Sequence, residues 1–536
     1  MKIVSLFTFL LAFGMTPYSL AQYPNVRVSN ASARQPEEVT IAVNPMNPLN
    51  LVAGSNLKYV YTTTDGGMSW KQDSLVSPYG VWGDPCVIFD HLGSAYYSHL
   101  SNEPQTPLQP VGFLARIVVQ KSTDAGSTWS PGEGIGYDTI HQHDKEWLAA
   151  DLTNSPYQGN LYVAWTEFDT YGSDSTADSS RILFSRSTDH GLTWTKSVRV
   201  SDVSGNCVDS DSTVEGAVPA VGPNGEVYLS WAGPLGIMFD KSTDGGLTFG
   251  SDRFVASEPG GWDFGVPGIY RCNGLPVTAC DVSNSPYRGT VYVLWSDQRN
   301  GADDTDVFLA KSTNGGDSWR SVTRVNNDDS HRQQFFPWLA IDQTTGYLYA
   351  VYYDRRATTG NTTDVYMAES TDGGDSFQNF KISDESFVPV DSVFFGDYIN
   401  VCADQRKVHP IWMRMDGKTL SVWTTTIEDT TAVAVNEEHI QPLGFELKQN
   451  YPNPFNPSTT IQYTVEDTRG QGLGVSNVQL LIYNALGMEV ATLVNARQAP
   501  GNYEVKFDAS RLASGVYFYR FTVGDFTAAR AMLLLK

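Results

Sequence analysis

Basic residues are scarce in this 536-residue chain: 36 Lys and Arg stand against 59 Asp and Glu, a formal net charge of −23. A nucleic-acid partner needs a concentrated basic face, so this balance excludes one. Cysteine is rarer, at five. No Cys-x-x-Cys or Cys/His spacing of a zinc site is present. Long apolar runs are also missing, so no transmembrane segment is expected beyond the opening residues. There, Lys2 precedes an apolar stretch from Ile3 to Met15 that is too short to span a bilayer, and Ser19-Leu20-Ala21 supplies small residues for cleavage. Residues 1–21 read as a secretory signal peptide, and the acidic surface as a device for solubility outside the cell. Aromatics at 12% with 47 Gly and 27 Pro make the chain rich in turns but too apolar for disorder.

What is abundant is one phrase, copied six times. It reads Thr63-x-Asp65-x-Gly67-x-Ser69-Trp70 first, and its acidic position recurs as Asp124, Asp189, Asp244, Asn314 and Asp372 at intervals of 55 to 70 residues. One structural unit is being repeated. The carboxylate can accept backbone N–H groups further along the turn, Gly supplies positive φ, and the following aromatic packs the turn onto its sheet. Asn314 retains an acceptor oxygen, so the fifth copy keeps the turn. Between copies, apolar β-branched runs such as Leu161 to Trp165 and Val291 to Trp295 alternate with Asn-Ser-Pro-Tyr turns, which predicts a four-stranded meander per unit.

Innermost strands are expected near Val39, Pro85, Trp147, Val218, Pro276, Trp338 and Tyr398, which makes seven units. The last lacks a fourth strand, and Asn25 to Asn30 reads like the fourth strands elsewhere. The N-terminus is therefore expected to complete the last unit and close a ring. The repeated phrase resembles the Asp box of sialidase-like β-propellers, where it is a structural turn on the side away from the ligand. The expected fold is all-β: a seven-bladed propeller over 22–428, with a six-bladed ring as the alternative because sialidases have six blades.

After a linker at 429–440, residues 441–536 form a second unit. Five runs at 460–465, 478–483, 501–508, 515–523 and 528–535 alternate as strands of a small β-sandwich. Asn450-Tyr-Pro-Asn-Pro-Phe-Asn-Pro457, Tyr483-Asn-Ala-Leu-Gly487, Leu512-Ala-Ser-Gly-Val-Tyr517 and the tail Arg530 to Lys536 closely resemble the C-terminal sorting domain of type IX secretion cargo. The resemblance implies Sec export, passage of the outer membrane, and the type IX machinery as a partner of residues 441–536.

On the face opposite the repeated turns, Trp82, Asp84, Asp144-Lys145-Glu146, Glu215, Trp262, Tyr270-Arg271 and Gly396-Asp397-Tyr398 enter first strands, while Asp297-x-Arg299 and Asp354-Arg355-Arg356 join second strands to third. Carboxylates, arginines and aromatics suit a glycan or glycoprotein ligand. The sialidase resemblance implies three arginines on a substrate carboxylate, here Arg271, Arg299 and Arg356, a Tyr398–Glu215 nucleophile pair, and Asp84 as acid. Trp82 and Trp262 supply stacking faces. The Phe/Tyr-Arg-Ile-Pro motif carrying the family's first arginine is absent, and Asp297–Arg299 and Asp354–Arg356 read equally well as ion pairs within their own loops. Two functions follow: a secreted sialidase-like glycoside hydrolase, or a surface propeller that binds glycan or protein without turnover.

Cys207 and Cys272 enter first strands on neighbouring units and are the expected disulfide; Cys86, Cys280 and Cys402 sit within first strands as buried thiols. No metal centre or cofactor is expected. His141 and His143 could share one side of an extended segment, and Asp209-Ser-Asp211 and Asp303-Asp-Thr-Asp306 offer hard oxygens to calcium without EF-hand spacing.

Overall fold

The computed structural model describes residues 23–106, 111–428, 446–465, 476–484, 488–498, 501–523 and 526–536. The signal peptide and the linker lie outside the described residues. The chain divides into two compact units, Met1–Asp429 and Thr430–Lys536. Every described element is a β-strand.

In the first unit, four antiparallel strands pair in sequence order, and this happens repeatedly. The third sheet shows why. Its strands are Gln142–Ala150, Leu161–Phe168, Ser180–Ser187 and Val198–Arg199. Leu161–Phe168 is buried along its whole length, as a strand covered on both faces must be, which is why it reads as an apolar run rather than an alternation. Trp165 is fully buried within it, and Trp231, Trp295 and Trp412 are fully buried in the second strands of the fourth, fifth and seventh sheets.

Seven such sheets occur among the described residues. Their first strands are Thr40–Val43, Cys86–Phe89, Gln142–Ala150, Glu215–Val221, Val277–Cys280, Gln334–Asp342 and Asn400–Asp404. Each neighbours the next, and the last returns to the first. In the seventh sheet the outer strand is Val26–Arg27, which pairs with Trp423 and Thr424. Val28 N donates to Val422 O at 2.8 Å, and Ser29 Oγ accepts Val422 N at 2.9 Å. Both ends of the unit thus share one sheet.

The six repeated turns follow the chemistry of their residues. Asp65 Oδ1 accepts Ser69 N at 3.0 Å and its Oδ2 accepts Ser69 Oγ at 2.6 Å, while Thr63 Oγ1 accepts Gly67 N at 3.2 Å. Asn314 reproduces this with Oδ1 accepting Ser318 N and Nδ2 donating to Ser318 Oγ. In this turn Gly316 has φ +81°, and a Cβ there would lie 2.1 Å from the Phe239 ring of the preceding sheet. Glycine is needed both for the backbone and for the close approach.

The second unit holds two sheets. One contains Glu446–Leu447, Ser458–Val465 and Gly501–Asp508; the other orders Glu489–Gln498, Ser476–Asn484, Gly515–Val523 and Phe526–Leu534. Ile461, Leu480, Ile482, Tyr519 and Phe521 pack between them. Two strands here were not expected from sequence. Glu489–Gln498 lies at a sheet edge and is only half-buried, so its apolar pattern is diluted, and Glu446–Leu447 is only two residues long.

Candidate functional site

The first strands open with unusual backbone. Glu38 (φ 55°), Asp84 (49°), Lys145 (52°), Gly216 (76°), Phe336 (50°) and Gly396 (83°) each stand two residues before Thr40, Cys86, Trp147, Val218, Trp338 and Tyr398. In the third, fourth and sixth sheets the pairing register shifts at this point. A left-handed conformation is costly for a residue with a Cβ, and such positions cluster at functional sites. Three of the six are charged, and they converge. Lys145 Nζ lies 3.5 Å from Glu38 Oε1, 3.4 Å from Asp84 Oδ2 and 2.5 Å from Asp397 Oδ2.

A hairpin between the fourth and fifth sheets, Asp263–Phe264 against Cys272–Asn273, brings a second cation to the same place. Arg271 Nε donates to Asp397 Oδ1 at 2.8 Å, its Nη2 bonds Asp397 Oδ2, and its Nη1 lies 3.0 Å from Asp209 Oδ2. Tyr171 hydroxyl donates to that Asp209 oxygen at 2.8 Å. Asn56 orders the other side: its Nδ2 donates to Glu38, and its Oδ1 accepts Asp84 N at 2.9 Å.

These contacts divide the carboxylates into two kinds. Burial alone would raise the Asp397 carboxyl, but Arg271 and Lys145 overcome it and hold Asp397 well below the usual range. Asp144 and Glu38 go the other way: burial, then repulsion from Asp84, lifts both well above the carboxylate range. Glu215 is raised by burial and then by Asp209 and Asp144, and neither of its oxygens has a hydrogen-bond partner among the described residues. A site in which some carboxyls are pushed up while another is held down is the usual arrangement for acid–base chemistry.

Asp84, Asp144, Lys145 and Arg271 line a cavity of about 310 Å³. Its apolar wall is Trp82, Phe113, Tyr171 and Phe394. Trp82 is 37% exposed and meets Phe113 edge-on at 5.2 Å. Beneath, Trp147, Trp338 and Tyr398 pack together with ring centroids 4.3 to 5.9 Å apart. A separate small pocket is lined by Glu215, Trp262, Asp209 and Arg271.

The structure thus brings together Asp84, Arg271 and Trp82 of the residues expected from sequence, with Glu215 beside Arg271. Other expectations are corrected. Tyr398 lines a pocket with Asp84, Lys145 and Asp397, but its hydroxyl donates to Pro85 O at 3.4 Å rather than to Glu215, and its ring belongs to the aromatic packing. Trp262 is buried, its Nε1 donating to Thr213 O at 3.2 Å. Arg299 pairs with Asp297 at 2.6 Å and lies over Phe308; Arg356 pairs with Asp354 at 2.7 Å and lies over Tyr366. Both reach back onto third strands of their own sheets, so neither lines the cavity. Cys207 and Cys272 are unbridged and buried, and Cys272 packs in the core with Phe264 of the hairpin.

The two histidines part company. His143 Nδ1 accepts Trp165 Nε1 at 2.9 Å within the core, whereas His141 joins Asp138 and Glu167, whose ligand atoms lie within 4.8 Å of one another. Arg181 occupies one of these carboxylates, 2.8 Å from Glu167, and also pairs with Asp169, which sets a cation against any metal there. In the acidic runs, Asp211 accepts Asp263 N at 2.8 Å, and Asp306 accepts Asn300 and Asn326 side-chain amides. Sequence reasoning put Lys145 and Asp397 on the right face without a role and did not include Glu38, Asn56 or Tyr171. Asp209 figured there only as a calcium ligand.

Residues 449–533 match the model of the secretion system C-terminal sorting domain. The chain has no match among curated proteins. Among solved structures, Penicillium chrysogenum α-L-arabinanase complexed with arabinobiose is 14% identical, covers 64% of this chain and 92% of its own, and has a TM-score of 0.41. The NanB sialidase from Streptococcus pneumoniae is 8% identical over 71% and 83%, with a TM-score of 0.42. A PL25 ulvan lyase is 12% identical over 75% and 94%, with a TM-score of 0.41. The match of residues 449–533 to a secretion system C-terminal sorting domain marks the chain for type IX export to the cell surface or extracellular space, behind a first unit built of repeated four-stranded sheets.

Proposed function

We propose that the seven sheets are the blades of a closed propeller whose repeated turns are Asp boxes, and that its cavity cleaves glycosidic bonds in extracellular glycans. The observation that carries this reading is one cavity lined by both Asp84 and Asp144 under an aromatic wall, with the Asp144 carboxyl raised by burial and by Asp84. A protonated carboxyl can give its proton to the leaving glycosidic oxygen, and a neighbouring carboxylate can act as base or nucleophile on the sugar. Lys145 fixes Asp84 for that second role, and Trp82 and Phe113 offer faces to a sugar ring.

The test is release of fluorophore from a panel of aryl glycosides and of reducing ends from polysaccharides, using the secreted protein. Asp84→Asn and Asp144→Asn are each expected to lower kcat by about 10²- to 10⁴-fold with folding intact. Glycan retained on an array with no release by the wild type would instead make the propeller a binding module.

A further inference from the structure

Both cationic heads in the cavity are already committed. Lys145 Nζ faces Asp397, Asp84 and Glu38, and Arg271 spends Nε and Nη2 on Asp397 and Nη1 on Asp209. Asp144 lines the same cavity, and Glu215 the pocket beside Arg271, with no cation of its own. The other basic groups on this face are engaged elsewhere: Arg116 with Glu103 at 2.7 Å, Arg181 with Glu167, Arg299 with Asp297 and Arg356 with Asp354. Arg34, Lys58, Arg332 and Arg355, which have no carboxylate within salt-bridge reach among the described residues, line neither the cavity nor the small pocket. A sugar carboxylate entering the cavity would meet the carboxyl groups of Glu37, Glu38, Asp84 and Asp144 on its walls, and two cations already paired with Asp84, Asp397 and Asp209, with no lining guanidinium fork free to hold it. An uncharged sugar meets hydrogen-bonding groups and aromatic faces, and an ammonium group meets carboxyl groups with no unpaired cation beside them.

Resting on the glycan reading above, we propose that the cavity selects a neutral or amine-bearing sugar and excludes sialic and uronic acids. Asp397 and Asp209 are the specificity-determining residues, because they neutralise the two cations that an acidic sugar would need.

The experiment measures binding of three short oligosaccharides to the full chain by calorimetry at low and high salt: an N-acetylglucosamine oligomer, its deacetylated amine form, and a galacturonate oligomer. The galacturonate is expected to bind at least tenfold more weakly than the other two at low salt, with salt weakening the amine form and leaving the neutral form unchanged. Asp209→Asn keeps a residue type that accepts the left-handed backbone found there, φ 61°. It frees Arg271 Nη1 and is expected to raise galacturonate affinity at least fivefold while the neutral oligomer still binds, which reports an intact fold. Asp397→Asn should raise it further. Galacturonate or a sialoside binding as tightly as the neutral oligomer overturns the proposal alone. Failure of all three to bind or be cleaved overturns the glycan reading and the proposal with it.

Discussion

At the scale of single residues, Lys145 holds the most consequential position. Three carboxylates on three different sheets meet its ammonium group, and its side chain is only 9% exposed. Removing one partner of a buried ionic cluster leaves uncompensated charge, so Lys145→Met is expected to cost about 3–5 kcal/mol in denaturant unfolding. The pH dependence has two limbs. Glu37 is raised by burial from 4.5 to about 8, and Asp240 and Asp354 by burial to about 6. Raised carboxyls stabilise fully below their unfolded values and lose that contribution as pH rises through the folded ones. The turn carboxylates Asp65 and Asp124 are lowered to about 2 by hydrogen bonds from Ser69 and Thr128. Their contribution is present above the unfolded value and lost as pH falls towards 2, though it is small at such exposed sites. Tm is therefore expected to peak near pH 4 to 5 and to decline towards pH 8, as calorimetry across that range will check.

At the scale of elements, the fourth strand of the seventh sheet is supplied from the other end of the unit, secured by backbone bonds, by Ser29 Oγ, by Asn25 bonding to Ile382 and Asp384, by Thr425 Oγ1 on Pro24 O, and by the buried Val28. Deleting residues 23–30 is expected to lower Tm and expose the edge at Trp423, read as concentration-dependent association in sedimentation. This strand was legible in the sequence because Val26-Arg27-Val28-Ser29 repeats the Val198-Arg199-Val200-Ser201 pattern. The turns were legible for the same reason: their hydrogen bonds are made within five residues, so sequence spacing carries the geometry. The site was not. Lys145 and Asp397 are 252 residues apart, and no local pattern announces that their sheets meet. Asp297-x-Arg299 and Asp354-x-Arg356 do form local patterns, but a local pattern fits an ion pair and a ligand clamp alike. The choice rests on Phe308 and Tyr366, residues of third strands on which the two guanidinium groups lie. Asn56 is silent for another reason: it acts only by placing Glu38 and Asp84, and nothing in its neighbourhood marks it.

At the scale of the whole molecule, the proposed site and the address lie in separate units. Removing 449–533 is expected to leave the propeller inside the cell envelope, scored by fractionation and blotting of culture medium against cells, while the retained protein keeps whatever glycan activity the full chain has. The way the first unit closes also imposes an order of events. Val26 and Arg27 cannot pair until Trp423 and Thr424 are available, so the first stretch to arrive during translocation must wait for almost the last. Six sheets can assemble behind the advancing chain, each from neighbouring strands, but the clasp that turns an open arc into a ring is a single late step with the longest loop to bridge.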